Sequence, residues 1–121
     1  MSAATVVAVG LLGGAGAIGR LLLDGVVSAR RSGDFPAGTL VVNLAGSLVL
    51  GVLVGAGIGE ESLRLFATGL IGSFTTFSTW MLETQRLAEE GDGRAAAANI
   101  AVSLVFGVAL AWLGLKLGEA L

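Results

Sequence analysis

The sequence predicts an all-α membrane protein with four transmembrane helices, the third of which is broken near its middle. Two properties of the 121-residue chain indicate a membrane. Of its residues 55% are hydrophobic and 13% are charged, and the charged share is about half of that in soluble domains. The mean hydropathy is +0.90. A cluster of hydroxyl side chains within one apolar segment predicts the break.

The composition also excludes several classes of function. A net charge of −2 and the lack of a basic run argue against nucleic acid as a partner. The chain has no cysteine and no histidine, so thiol chemistry and the commonest general base are absent. No carboxylate pair is expected within the membrane, and we do not expect an enzyme. The first ten residues lack a positive n-region, so the first apolar segment is predicted to be retained.

Four segments are long and apolar enough to cross a bilayer, which takes about 20 residues. They are Thr5–Ala29, Ala37–Gly59, Leu63–Arg86 and Ala95–Gly118. The connections are short and hold most of the charge, so we predict one four-span domain over residues 1–121. The only proline, Pro36, suits the first turn of the second helix.

The positive charges give a weak orientation signal. Lysine and arginine accumulate in cytoplasmic loops, and the first and third loops lie on one side of a four-span protein. That side holds four such residues and the other side two: Arg30, Arg31, Arg86 and Arg94 against Arg64 and Lys116. The bias favours termini outside the cell and is compatible with insertion in both orientations.

Small residues recur every four positions along the second and fourth spans. The two stripes are Asn43, Ser47, Gly51, Gly55 and Gly59, and Asn99, Ser103, Gly107 and Ala111. Glycine at this spacing is typical of closely packed membrane helices. An amide in mid-membrane is costly without a partner or a wet cavity, so Asn43 and Asn99 are candidate functional residues.

The first span contains two charged residues, Arg20 and Asp24, which lie four positions apart. This spacing allows an ion pair on one helix face. Arg20 is the deeper residue, and its guanidinium must reach the interface, pair, or face a polar cavity. Structural pairing and the attraction of an anion are both open hypotheses.

The third span contains the stretch GLIGSFTTFSTW, Gly69–Trp80, which has low helix propensity. Five of its twelve residues carry a hydroxyl: Ser73, Thr75, Thr76, Ser78 and Thr79. Bonds back to main-chain carbonyls explain one or two of them. A broken membrane helix must have its freed groups satisfied by protein or by a water-filled cavity, and such breaks form ion sites in transporters. Aromatic rings at every third position, Phe74, Phe77 and Trp80, either pack against lipid or line a path for a small anion.

These segments resemble the CrcB/Fluc family of fluoride channels. The resemblance is carried by GGAGAIGR in the first span, FPAGTLVVNLAGS before and in the second, the third-span stretch, and NIAVS followed by Gly107 in the fourth. It implies a passive fluoride-selective channel in the cell membrane, formed by two oppositely inserted copies with pores at their interface. It also implies a sodium ion at the dimer centre, held by backbone carbonyls of Gly72 and Thr75.

The resemblance further implies a set of pore residues. They are Asn43, Phe77, Trp80, Ser78, Thr79, Ser103 and Arg20. Trp80 stands where the family motif usually has a second phenylalanine. Its indole has an N–H donor but is larger, and some family members work as two different subunits with one competent pore. A heterodimeric channel is therefore the alternative prediction.

Two other classes are less well supported by the residues. A small dual-topology multidrug exporter needs a carboxylate deeper in the first span than Asp24. A non-transporting assembly subunit explains the glycine stripes, but it does not explain Asn43 or the cluster of hydroxyls.

Overall fold

The computed structural model describes residues 1–121, and every regular element in it is helical. The elements are α1 (Ala3–Ala29), α2 (Ala37–Gly55), α3 (Glu60–Arg64), a π-helical segment (Leu65–Ile71), α4 (Gly72–Phe74), α5 (Ser78–Glu89) and α6 (Gly93–Glu119). Four units are long and apolar enough to span a membrane: α1, α2, the composite third span Glu60–Glu89, and α6. The predicted all-α fold with a broken third helix is confirmed.

Local chemistry sets the helix ends. Ser2 caps α1, because its Oγ accepts a hydrogen bond from the Thr5 N–H at 3.1 Å. Asp92 caps α6 in the same way. The second helix ends at Gly55 and does not reach the predicted Gly59, because the chain turns at Gly57 with a φ of +68°, a conformation that glycine adopts without steric cost.

The most extensive helix–helix contact joins α2 and α6. At four glycines an added Cβ would collide with the backbone of the facing helix, so only glycine permits this approach. They are Gly51 and Gly55 on α2, and Gly114 and Gly118 on α6. The α2 positions agree with the predicted stripe. On α6 the contact includes Ala111, the last residue of the predicted stripe, and continues beyond it to Gly114 and Gly118.

The first half of the third span packs against α1 at two more glycines. A Cβ at Gly16 would collide with the Ser73 hydroxyl and the Leu70 carbonyl, and one at Gly69 would lie 3.1 Å from Leu12 Cβ. These contacts bring α1 alongside the break. Only 15 of 121 residues are buried, and the large apolar side chains that remain exposed suit a protein surrounded by lipid.

Candidate functional site at the broken third helix

The third span is not helical over residues 75–77, although the Thr75 N–H still donates to the Ile71 carbonyl at 3.0 Å. Before them, the π-helical segment ends with the Gly72 N–H donating to the Ala67 carbonyl, five residues back. Segments of this type occur frequently at functional sites. Thr75 then has extended backbone angles, φ −82° and ψ 159°, and α5 begins at Ser78. The predicted break therefore lies in the middle of the hydroxyl cluster.

Two amide groups that would continue the helix donate elsewhere. The Thr76 N–H donates to Asn43 Oδ1 at 2.8 Å, and the Thr79 N–H donates to the Thr76 hydroxyl at 3.2 Å. In a continuous α-helix their acceptors would be the carbonyls of Gly72 and Thr75. At the break, the carbonyls of Gly72 and Thr75 therefore lose the N–H donors that a continuous helix would give them. These are the two carbonyls that the family resemblance assigns to a sodium ion.

Asn43 uses both ends of its amide on one residue of the break. Its Nδ2 donates to the Thr76 carbonyl at 2.8 Å, while its Oδ1 accepts from the Thr76 N–H at the same distance. The pair satisfies backbone groups that a broken helix would otherwise leave unpaired in the membrane. One Nδ2 hydrogen is left for a further acceptor.

Arg20 reaches the same break from α1. Its Nε donates to the Ser73 carbonyl at 3.3 Å, within the last turn before the break. No ion pair joins Arg20 to Asp24, because the salt bridges of the chain lie elsewhere and Asp24 accepts from the Ser28 hydroxyl at 3.1 Å. The hypothesis of structural pairing within the first span is therefore wrong, and the guanidinium contributes its charge at the break.

A cavity of about 260 Å³ opens beside the break. It brings together three of the predicted pore residues, Asn43, Phe77 and Trp80, and its polar lining also includes Ser47, Thr75 and Thr76. Arg20 and Thr79 line a separate small recess, which shares Thr76 with the cavity. Ser78 and Ser103 line neither space.

The two aromatic residues of the cavity differ in their surroundings. The rings of Phe77 and Trp80 meet edge to face, with centroids 5.6 Å apart and planes at 79°. Phe77 is 70% exposed. The Trp80 Nε1–H donates to the carbonyl of Asn99 at 3.1 Å. The indole N–H, which the sequence offered as a donor for an ion, is therefore engaged within the chain, and the rest of the ring lines the cavity.

The side chain of Asn99 is buried and bonded to α5. It is 1% exposed, and its Nδ2 donates to the Thr84 hydroxyl at 2.9 Å. Of the two environments expected for an amide in mid-membrane, a partner or a wet cavity, Asn99 has the first, because its Nδ2 bonds to a residue on α5. Thr84 was not singled out in the sequence, since a threonine in a polar half-helix has no distinguishing signal.

Two buried oxygen atoms have no hydrogen-bond partner within the chain. They are Ser103 Oγ and Glu83 Oε1. Ser103 was predicted, whereas Glu83 was missed. The signal for Glu83 was its place inside the predicted third span, because a carboxylate within a membrane span is a functional candidate by default.

Comparison with known proteins identifies the family of the chain. The family model described as CrcB-like protein, Camphor Resistance (CrcB), matches residues 7–115. The chain belongs to the CrcB family. The match runs from α1 into α6, so this CrcB-family chain shares all four spans with the family, and it is a multi-pass protein of the cell membrane.

Three relatives illustrate how similar this CrcB-family chain is to known proteins. Fluoride-specific ion channel FluC 2 of Mycolicibacterium paratuberculosis is 52% identical over 113 residues, 93% of each chain. The FluC 2 of Mycobacterium tuberculosis is 49% identical over 104 residues, 86% of this chain and 82% of the relative. Fluoride-specific ion channel FluC 1 of Symbiobacterium thermophilum is 45% identical over 118 residues, 93% and 95% of the two chains.

Proposed function

We propose that this chain forms a fluoride channel, through which the anion leaves the cell passively. The support is the similarity, over most of both chains, to relatives named fluoride-specific ion channels. Such a protein is a transporter rather than an enzyme. Fluoride that entered the cell as the neutral acid would leave through it as the anion.

The main support for the position of the pathway is the break at residues 75–77, which lies beside the cavity. Fluoride is small and strongly hydrated, so a pore must replace its water with closely placed donors that still release it. The remaining Nδ2 hydrogen of Asn43 is one such donor. The Phe77 N–H is a second, because it donates to no backbone carbonyl of the chain.

The other proposed pore residues extend the polar surface from the break. Ser78 and Thr79 begin α5, where backbone N–H groups carry partial positive charge. Ser103 offers a hydroxyl whose oxygen has no partner within the chain. Arg20 adds a full positive charge at the Ser73 carbonyl without entering the cavity lining, and this position favours an anion near the break without a charged group that would trap it.

We also propose that the carbonyls of Gly72 and Thr75 hold a structural sodium ion. The support is their loss of helical donors, because Thr76 and Thr79 donate elsewhere and freed carbonyls in a broken membrane helix suit a cation. When bound, the ion would supply positive charge near the pathway. Asn43 and Arg20 help to place these carbonyls, because both side chains bond to the backbone at the break.

A dimer of two oppositely inserted copies is part of the proposal. The exposed ring of Phe77 supports a neighbour at this surface, because an aromatic side chain beside a polar break is suited to an interface between subunits. The weak charge bias supports insertion in both orientations. A pair of paralogous subunits is the second candidate, since relatives named FluC 1 and FluC 2 both occur and Trp80 replaces the family's usual phenylalanine.

The test is fluoride efflux from liposomes that contain only this purified chain, followed with a fluoride electrode and repeated with chloride. We expect rapid fluoride efflux and no chloride efflux. A well-folded dimer that conducts neither ion would exclude the homodimeric channel. Absence of fluoride efflux after co-expression with a paralogous chain would exclude the heterodimer as well.

A further inference from the structure

Three hydrogen bonds among Trp80, Thr84 and Asn99 form a closed circuit between α5 and α6. The Trp80 indole N–H donates to the Asn99 carbonyl at 3.1 Å, and the Asn99 Nδ2 donates to the Thr84 hydroxyl at 2.9 Å. The Thr84 hydroxyl in turn donates to the Trp80 carbonyl at 2.8 Å. Each helix therefore supplies a side-chain donor to the other, and the circuit returns to the residue where it began.

The circuit lies in the interior and ends at the cavity wall. Asn99 is 1% exposed and Thr84 is 8% exposed, so water does not compete for these bonds. Trp80 is the member that lines the cavity, and its ring meets that of Phe77 edge to face. The hydrogen bonds of Asn99 and Thr84 thus link the buried side of α5 to Trp80, and through the Trp80 ring to the exposed ring of Phe77.

A ring with a bonded N–H has a fixed orientation about its side-chain torsions, because rotation would break the bond to the Asn99 carbonyl. A phenylalanine at the same position has no such anchor. The edge-to-face geometry, with planes at 79°, then limits the positions open to the Phe77 ring, which few other contacts hold because it is 70% exposed.

We infer that Thr84 and Asn99 are positioning residues, which hold the Trp80 ring at the cavity wall and through it set the ring of Phe77. This inference rests on the proposed function only for its effect on fluoride flux. The placement of the ring is a separate claim about the folded protein. A role confined to joining α5 and α6 would alter stability without a specific effect on the indole.

The first arm of the test measures the indole directly. The chain has two tryptophans, so the ¹⁵N-labelled protein in micelles gives two indole N–H signals, and Trp112→Phe leaves that of Trp80. We expect the Trp80 signal to exchange slowly with D2O. Thr84→Val removes the hydroxyl and should speed the exchange about fivefold, whereas Thr84→Ser keeps the hydroxyl and should restore slow exchange.

The second arm measures fluoride efflux in the same variants. Thr84→Val should lower the rate by about fivefold, the factor that corresponds to one hydrogen bond of ordinary net strength. Thr84→Ser should conduct at the parental rate. Thr68→Val is the matched control, because Thr68 is an exposed threonine of the same span that lies outside the cavity lining and the circuit.

A double variant tests whether Thr84 acts through the ring. In a Trp80→Phe background the N–H is absent, so Thr84→Val should change the efflux by less than about twofold. An equal loss in both backgrounds would contradict the inference, as would an unchanged Trp80 exchange rate in Thr84→Val or an unchanged efflux. A parent protein without fluoride flux would overturn the proposed function, while the exchange measurement would still decide whether these residues hold the ring.

Discussion

At the scale of single residues, Asn43 shows how one side chain shapes the break. Its amide satisfies both backbone groups of Thr76, each at 2.8 Å, and this replaces the hydrogen bonds that a continuous helix would make. The residues proposed for the pathway therefore fall into two kinds. Asn43 holds the backbone in place, whereas Phe77 lies exposed at the wall and makes no comparable polar contact.

Replacing Asn43 by leucine should destabilise the protein as well as reduce flux. The Asn43→Leu variant leaves the Thr76 N–H and carbonyl without partners, and the free energy of unfolding should fall by about 1–4 kcal/mol. Thermal melting in detergent measures this change. A variant with parental stability and reduced fluoride efflux would show that Asn43 acts only as a donor to the ion.

Phe77→Ile should abolish fluoride efflux while the oligomeric state stays unchanged. The physical reason is that the substitution removes the aromatic ring from the cavity wall and leaves the hydrogen bonds of the break intact. Efflux from liposomes and size-exclusion chromatography measure the two properties. Phe106→Ile is the matched control, because Phe106 is 53% exposed on α6 and lies outside the cavity lining. Parental efflux in Phe77→Ile would remove this ring from the pathway.

At the scale of helices, glycine decides how closely α2 and α6 approach. An added methyl group at Gly51 would collide with the Ala111 carbonyl, so Gly51→Ala should lower the free energy of unfolding by about 1–3 kcal/mol. Gly10 lies within α1 with no atom near an added Cβ. Gly10→Ala should therefore raise stability by about 0.5–1 kcal/mol. Thermal melting in detergent compares the two variants. An equal change in melting temperature for Gly51→Ala and Gly10→Ala would contradict the close contact of α2 with α6.

The same scale shows what a sequence can predict. Hydropathy predicts the four spans because each segment is apolar over most of its length. The glycines and the neighbouring hydroxyl residues predict the break because their helix propensity is low. The π-helical segment has no comparable signature, since bonds to the fifth residue back require no particular side chain. The partner of Asn99 was equally hidden, because Thr84 becomes its neighbour only when α5 packs on α6.

At the scale of the whole molecule, the weak charge bias bears on how the chain is inserted in the membrane. A protein inserted in one orientation usually shows a clear excess of lysine and arginine on its cytoplasmic side. Here the excess is four against two: Arg30, Arg31, Arg86 and Arg94 against Arg64 and Lys116. Small biases of this kind suit a chain that enters the membrane in both directions, as an antiparallel dimer requires.

Labelling of a single cysteine tests this orientation. The chain has no cysteine, so Ser32→Cys, in the exposed loop after α1, places one reactive thiol on one side of each copy. We expect a membrane-impermeant maleimide to label about half of the copies in intact cells, because a bias of four positive residues against two is too weak to fix one orientation. Permeabilised cells, in which all copies react, provide the control. Complete labelling or no labelling in intact cells would show one fixed orientation, and an antiparallel pore would then need a second chain of opposite topology.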